Sequence, residues 1–166
     1  MLKKYSDKSE YIFILDNIRD EDEEELRTLF GDKWYEKTCQ TLQTADFYIL
    51  YGKDFQNKNV PVAMGGIRAV CENSEAAYVW LLTTKYIYKN RVALCKELKN
   101  FFRKYETKYR IMCNFIYKSN YTAKSWLKKF GFKFDNPKPC GMTIADGYEF
   151  FYKITKKEKK GKQNVC

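Results

Sequence analysis

Apolar positions along the chain switch between a period of two and a helical period, and the switches mark out the elements. Residues 11–16 (Y-I-F-I-L-D) form an aromatic and β-branched run that predicts a strand. Asp20 then predicts the N-cap of a helix that carries Leu26, Leu29 and Phe30 and stops at Gly31. Asp32 opens a second helix with Trp34, Tyr35, Thr38 and Leu42 on one face. Residues 46–51 and 60–71 predict two strands paired as a hairpin across the polar stretch 52–59. Gly65 and Gly66 inside the second of these predict a bulge or the close approach of another backbone.

The run A-A-Y-V-W-L-L-T, residues 76–83, is continuously apolar, which predicts a strand buried on both faces near the middle of a sheet. Leu94, Leu98, Phe101, Phe102 and Tyr105 recur at helical spacing, and residues 110–115 read as the next strand. A short amphipathic helix follows from Asn120, with Ala123, Trp126, Leu127 and Phe130 at intervals of three and four. Gly131 ends it, residues 132–134 are extended, and a last strand is expected over residues 148–154, after the breaks at Pro137 and Pro139. The order β-α-α-β-β-β-α-β-α-β-β predicts an α/β (α+β) fold, a mixed and mostly antiparallel sheet flanked by helices. Residues 1–155 read as one domain and residues 156–166 as a basic, mobile tail.

Composition narrows the chemistry. The 166 residues include no histidine, which removes Ser-His-Asp and Cys-His catalysis and the usual zinc sites. Six cysteines form no C-x-x-C pair and read as reduced, mostly buried thiols. No apolar run approaches a bilayer span and the first residues lack a signal-peptide core, so a cytoplasmic protein without membrane contact is expected. The net charge of +10 coexists with an acidic block at residues 20–25. Carboxylates in a first helical turn complement the helix dipole, which accounts for much of that block without any function. The lysines read first as solvated surface; nucleic-acid binding ranks last, because no recognition motif accompanies them.

The pattern N-x-x-A-x-x-(apolar)-x-x-x-(apolar)-G-F, from Asn120 to Phe132, resembles the last helix-to-strand element of the GNAT-fold N-acetyltransferases. The element order extends this resemblance over nearly the whole chain. V-P-V-A-M-G-G, Y-V-W-L-L-T-T and the Trp126-Leu127 helix also look like small GNAT-like proteins of tailed bacteriophages, some of them virion-associated. The resemblance implies acetyl-CoA as cosubstrate and an amine acceptor, either a small molecule or a protein lysine.

By the same resemblance, the buried strand offers the main chain of Leu81, Leu82 and Thr83 to the pantetheine arm and thioester. The family's next loop holds the CoA pyrophosphate on glycine-rich amides at a helix N-terminus. Residues 83–94 contain no glycine, so Lys85, Lys89, Asn90 and Arg91 are the candidates to hold phosphate here, with Asn120 at the neighbouring helix. Many relatives carry a tyrosine acid four residues before the helix-ending glycine; here that residue is Leu127. Tyr121 and Tyr117 are the nearby candidates, and Glu75, with Glu72, is the candidate base by position.

Two functions follow. One is acetyl transfer from acetyl-CoA to an amine. The other is a noncatalytic GNAT-like module that binds a phage or host protein, acting in the host cytoplasm or the virion.

Overall fold

The computed structural model describes residues 2–43, 45–134 and 145–155. Six strands form one sheet in sequence order: β1 (Leu2–Lys4), β2 (Phe47–Lys53), β3 (Asn59–Ala69), β4 (Ala76–Thr83), β5 (Ile111–Tyr117) and β6 (Tyr148–Ile154). Every neighbouring pair is antiparallel except β4 and β5, which run parallel. The crossover between those two is α4 (Ile87–Glu106), as parallel pairing requires. The mixed, mostly antiparallel sheet is as expected, and β4 holds an interior position.

Helices cover both faces. On one lie α1 (Lys8–Asp16), α2 (Asp20–Phe30) and α3 (Trp34–Gln43), which bury Tyr11, Ile14, Leu15, Leu26, Trp34 and Leu42 against Phe47, Ile49 and Met64. On the other, α4 and α5 (Tyr121–Lys129) pack Leu94, Phe102, Ala123, Trp126 and Leu127 around Ala63, Val79 and Met112. Within β4, Trp80 and Leu82 face the first layer, and Val79 and Leu81 the second. Strand β4 is therefore covered on both faces, although its burial alternates along the strand.

Residues 11–16 are helical, not a strand, and belong to α1. The helix is set from its start. Asp7 Oδ1 accepts from the Ser9 N–H at 2.7 Å, and Glu10 Oε2 accepts from the Asp7 N–H at 3.1 Å, a reciprocal capping box. Tyr11, Ile14, Leu15 and Ile18 then fall on one buried face, so helical period and cap together overrule local β preference. The first strand is instead β1. The extended residues 132–134 contribute a single bridge, Lys133 with Tyr152, and no full strand. The expected tail, residues 156–166, and the Pro137 and Pro139 breaks lie outside the described residues.

The glycine pair in β3 marks close approach. A Cβ on Gly65 would stand 2.7 Å from the Trp80 carbonyl oxygen, and one on Gly66 would stand 2.9 Å from that of Asp46. The irregularity in the β2–β3 ladder lies elsewhere, where Leu50 pairs with Ala63 but Tyr51 with Pro61. Val62 is the extra residue. Its carbonyl turns to Thr84, accepting from the N–H at 2.9 Å and from Oγ1 at 3.1 Å.

Candidate functional site at the β4–β5 fork

Strands β4 and β5 pair at only three positions, the last being Tyr78 with Cys113, and then separate. Beyond that point alternate main-chain groups of β4 face the widening gap. The Val79 carbonyl accepts from Asn114 Nδ2 at 2.9 Å, just where the strands part. The Leu81 N–H and C=O follow on the same side, with no strand opposite among the described residues. The Thr83 groups are taken by the α1–α2 connection and the first turn of α2: the Thr83 carbonyl accepts from the Arg19 N–H at 2.9 Å, and its N–H donates to Asp22 Oδ2 at 3.0 Å. A bridge between Ile18 and Thr84 continues the contact.

A buried polar network fills the mouth of the fork. Asp22 Oδ2 also accepts from Thr83 Oγ1 at 2.7 Å, while its Oδ1 accepts from Arg19 Nη2 at 2.6 Å. Asn120, the N-cap of α5, ties the network to the far side. Its Oδ1 accepts from the Ala123 N–H at 3.2 Å and from Arg19 Nη2 at 3.2 Å. Its Nδ2 donates to Glu25 Oε2 at 3.1 Å and to Asp22 Oδ1 at 3.3 Å. Arg19 is 3% exposed and its Nη1 has no hydrogen-bond partner among the described residues. Its Nε lies 3.4 Å from Glu21 Oε2, an ion pair without hydrogen-bond alignment. Burial works against the Arg19 charge, but Asp22 and Glu21 outweigh it and hold the guanidinium protonated.

Glu25 stands at the β5 side of the fork. Burial pushes its carboxyl up to about 7, and nearby Asp22 adds to the rise; donation by Asn120 and the Tyr117 main chain, with the Arg19 charge, pulls the other way. Tyr148 Oη donates to the Glu25 carbonyl at 2.7 Å and closes the site from β6.

The residues singled out from sequence separate into groups. Thr83, Asn120 and Tyr117 meet around Asp22 and Glu25. Tyr121 begins α5 but is 74% exposed. Glu75 lies at the opposite end of β4, beside Arg110, about 25 Å along the strand from Thr83. Leu127 packs into the apolar layer with Phe132 and Phe151.

In the loop after β4, the Thr84 N–H donates to Val62, that of Lys85 to Asn17, that of Tyr86 to Thr84 Oγ1 and that of Ile87 to the Thr84 carbonyl. These amides are committed internally, unlike those of a glycine-rich phosphate cradle. Asn90 is buried and holds the Lys53 N–H and carbonyl, and Lys89 Nζ donates to the Asp54 carbonyl and Asn57 Oδ1. Lys85 and Arg91 are exposed at this edge.

Sequence reasoning passed over Arg19, Asp22 and Glu25, because helix capping already explained the acidic block. The available signal was spacing: Asp22, Glu25 and Leu26 share one face of α2, and Leu26 is the apolar residue that turns this face inward.

No protein-family model and no curated protein matches the sequence. Solved structures do match its fold. An acetyltransferase from Streptococcus agalactiae superposes with a TM-score of 0.63 at 15% identity, covering 93% of this chain and 97% of the other. An aminoglycoside N(6')-acetyltransferase from Legionella pneumophila gives 0.62 at 17% identity, covering 91% and 90%. A GNAT-family acetyltransferase from Streptococcus pneumoniae gives 0.58 at 13% identity, covering 93% and 98%. The chain has the GNAT-like fold. Among the described residues no helix is long and apolar enough to cross a membrane, and no group of metal-ligating side chains occurs.

Proposed function

We propose that this protein is an acyl-CoA-dependent N-acyltransferase that moves an acetyl group from acetyl-CoA to an amine. The observation that carries this reading is the fork between parallel strands, with the Leu81 main chain facing it and the capped start of α5 beside it. An extended pantetheine arm needs such an unpaired strand edge, because its amides must exchange hydrogen bonds with something once they leave water. Leu81 suits the arm. The diphosphate fits less well, since the loop amides are already committed. In this reading the exposed Lys85 and Arg91 side chains hold it as point charges.

The titration of the purified protein with acetyl-CoA in a calorimeter tests the reading. Micromolar binding, with thiol release when an amine is added, supports it. A second reading, a noncatalytic GNAT-like module that binds a phage or host protein, is favoured by one observation. The Thr83 amide and carbonyl are bound within the chain. Absence of acetyl-CoA binding selects this second reading.

A further inference from the structure

We propose that Glu25 is the group that takes the proton from the acceptor amine, which binds beside it as an ammonium ion. The inference rests on the acyltransferase reading and assigns a residue to a step that the fold alone leaves open.

The geometry is the first support. Glu25 Oε2 reaches Asn120 Nδ2 at 3.1 Å, the same nitrogen lies 3.3 Å from Asp22 Oδ1, and Asp22 Oδ2 lies 3.0 Å from the Thr83 nitrogen. One side chain each from Asn120 and Asp22 therefore separates the Glu25 carboxyl from Thr83 at the end of β4, two residues beyond the open Leu81 position. Glu25 has an orienting partner and is half-buried, which a proton acceptor in a fork requires.

The surroundings give the second support. The charged and titratable groups facing Glu25 are Asp22 and Arg19 at the start of α2, Tyr117 on β5 and Tyr148 on β6, with neutral Asn120 on α5. Arg19 and Asp22 offset one another as a buried pair at 2.6 Å. The charge that remains is that of Glu25 itself, so once ionised it favours a cation over an anion beside it. Burial of Glu25 places its ionisation where it is an effective base near neutral pH.

The step balances. The bound ammonium gives one proton to the Glu25 carboxylate, and the freed nitrogen lone pair attacks the thioester carbonyl carbon. A C–N bond forms as the C–S bond breaks, the electron pair of that bond leaving with sulfur. A second proton from nitrogen ends on the thiolate, the third stays on the amide, and Glu25 returns its proton to water.

The test measures thiol release from acetyl-CoA with 1,4-diaminobutane and with a lysine-containing peptide, between pH 5.5 and 9. The wild-type kcat/KM is expected to rise through a limb near pH 7, the Glu25 ionisation, to a plateau that holds to pH 9 while the free amine stays an ammonium ion. Glu25→Gln preserves shape and can still accept from Asn120. It should lower the rate at pH 7 by about 100-fold and leave a profile that climbs with the amine's own ionisation. Acetyl-CoA affinity should stay within about twofold, since the change lies away from the phosphates and removes no cofactor contact. Glu25→Asp keeps a titrating group at shorter reach and should retain the limb with a reduced rate. A wild-type profile without the limb, or Glu25→Gln with the wild-type rate and limb, overturns the inference while acyl transfer stands. Acetyl-CoA binding without turnover on either amine overturns both this inference and the acyltransferase reading.

Discussion

Asp22 grips Thr83 twice, accepting from its main-chain N–H at 3.0 Å and its hydroxyl at 2.7 Å through the same carboxylate oxygen. This pins the start of α2 to the end of β4, and it sets a helix across the mouth of the fork that β4 and β5 leave. The other carboxylate oxygen holds Arg19, which is just as buried.

Asp22→Ala removes one partner of a buried ion pair and leaves Arg19 with a charge and little to answer it. The folded state should lose about 3–5 kcal/mol, the range for breaking a buried pair from one side. Urea unfolding monitored through tryptophan fluorescence measures this. Thr83→Val, which loses only the hydroxyl donor, should cost about 1 kcal/mol by the same measurement.

Stability should also depend on the ionisation of Glu25. Its carboxyl titrates at about 7 in the folded chain against an ordinary 4.5 when unfolded, so between those values the folded state binds more protons. Linkage then makes stability fall as pH rises from 4.5 to 7. The loss should reach about 2–3 kcal/mol, reduced from the full linkage value because Glu25 is partly exposed. Urea midpoints at pH 5 and pH 8 check it, and Glu25→Gln should remove this part of the slope.

Gly65→Ala places a methyl group against the Trp80 carbonyl, at 2.7 Å from rigid strand backbone on both sides. The β3–β4 ladder must shift to admit it, at a cost of about 1–3 kcal/mol. Thermal unfolding should show a clear fall in midpoint. Gly31 has open space around it but a φ of 67° and a ψ of −153°, a region that essentially only glycine adopts, so Gly31→Ala should also cost about 1–3 kcal/mol, through backbone strain.

If Lys85 and Arg91 hold the diphosphate, the double alanine variant should bind acetyl-CoA about tenfold more weakly at low salt. The difference between the two proteins should shrink at high ionic strength, because exposed charges are screened. Calorimetry at two salt concentrations checks both statements. Lys89→Ala should have less effect on affinity, since its ammonium is already engaged by Asp54 and Asn57.

Much of the scaffold could be read from local pattern. Strand β4 lies at residues 76–83 as its apolar run predicts, and α5 carries Ala123, Trp126 and Leu127 on its packed face behind the Asn120 cap. Residues 11–16 mislead because β-branched and aromatic content is a weak preference, while the Asp7–Glu10 cap, about one turn before residue 11, is a specific one. The site was less legible for another reason. Arg19 meets Asn120 across a separation of 101 residues, and Glu25 meets it across 95, so no local window contains either pair. Glu25 looks like one more carboxylate in a solvated block until the sheet places Tyr117 and Tyr148 beside it.

The two hydrogen bonds of Asn90 to Lys53, with Lys89 reaching Asp54 and Asn57, join the first turn of α4 to the β2–β3 turn. A Cβ on Gly52 would collide with the Asn90 side chain at 2.3 Å, so the contact has no slack. The loop after β4 is thus restrained at its far end by a hairpin distant in sequence. Its amides should exchange with deuterium in step with those of the hairpin tip, as one opening unit, and tightening either segment should slow both.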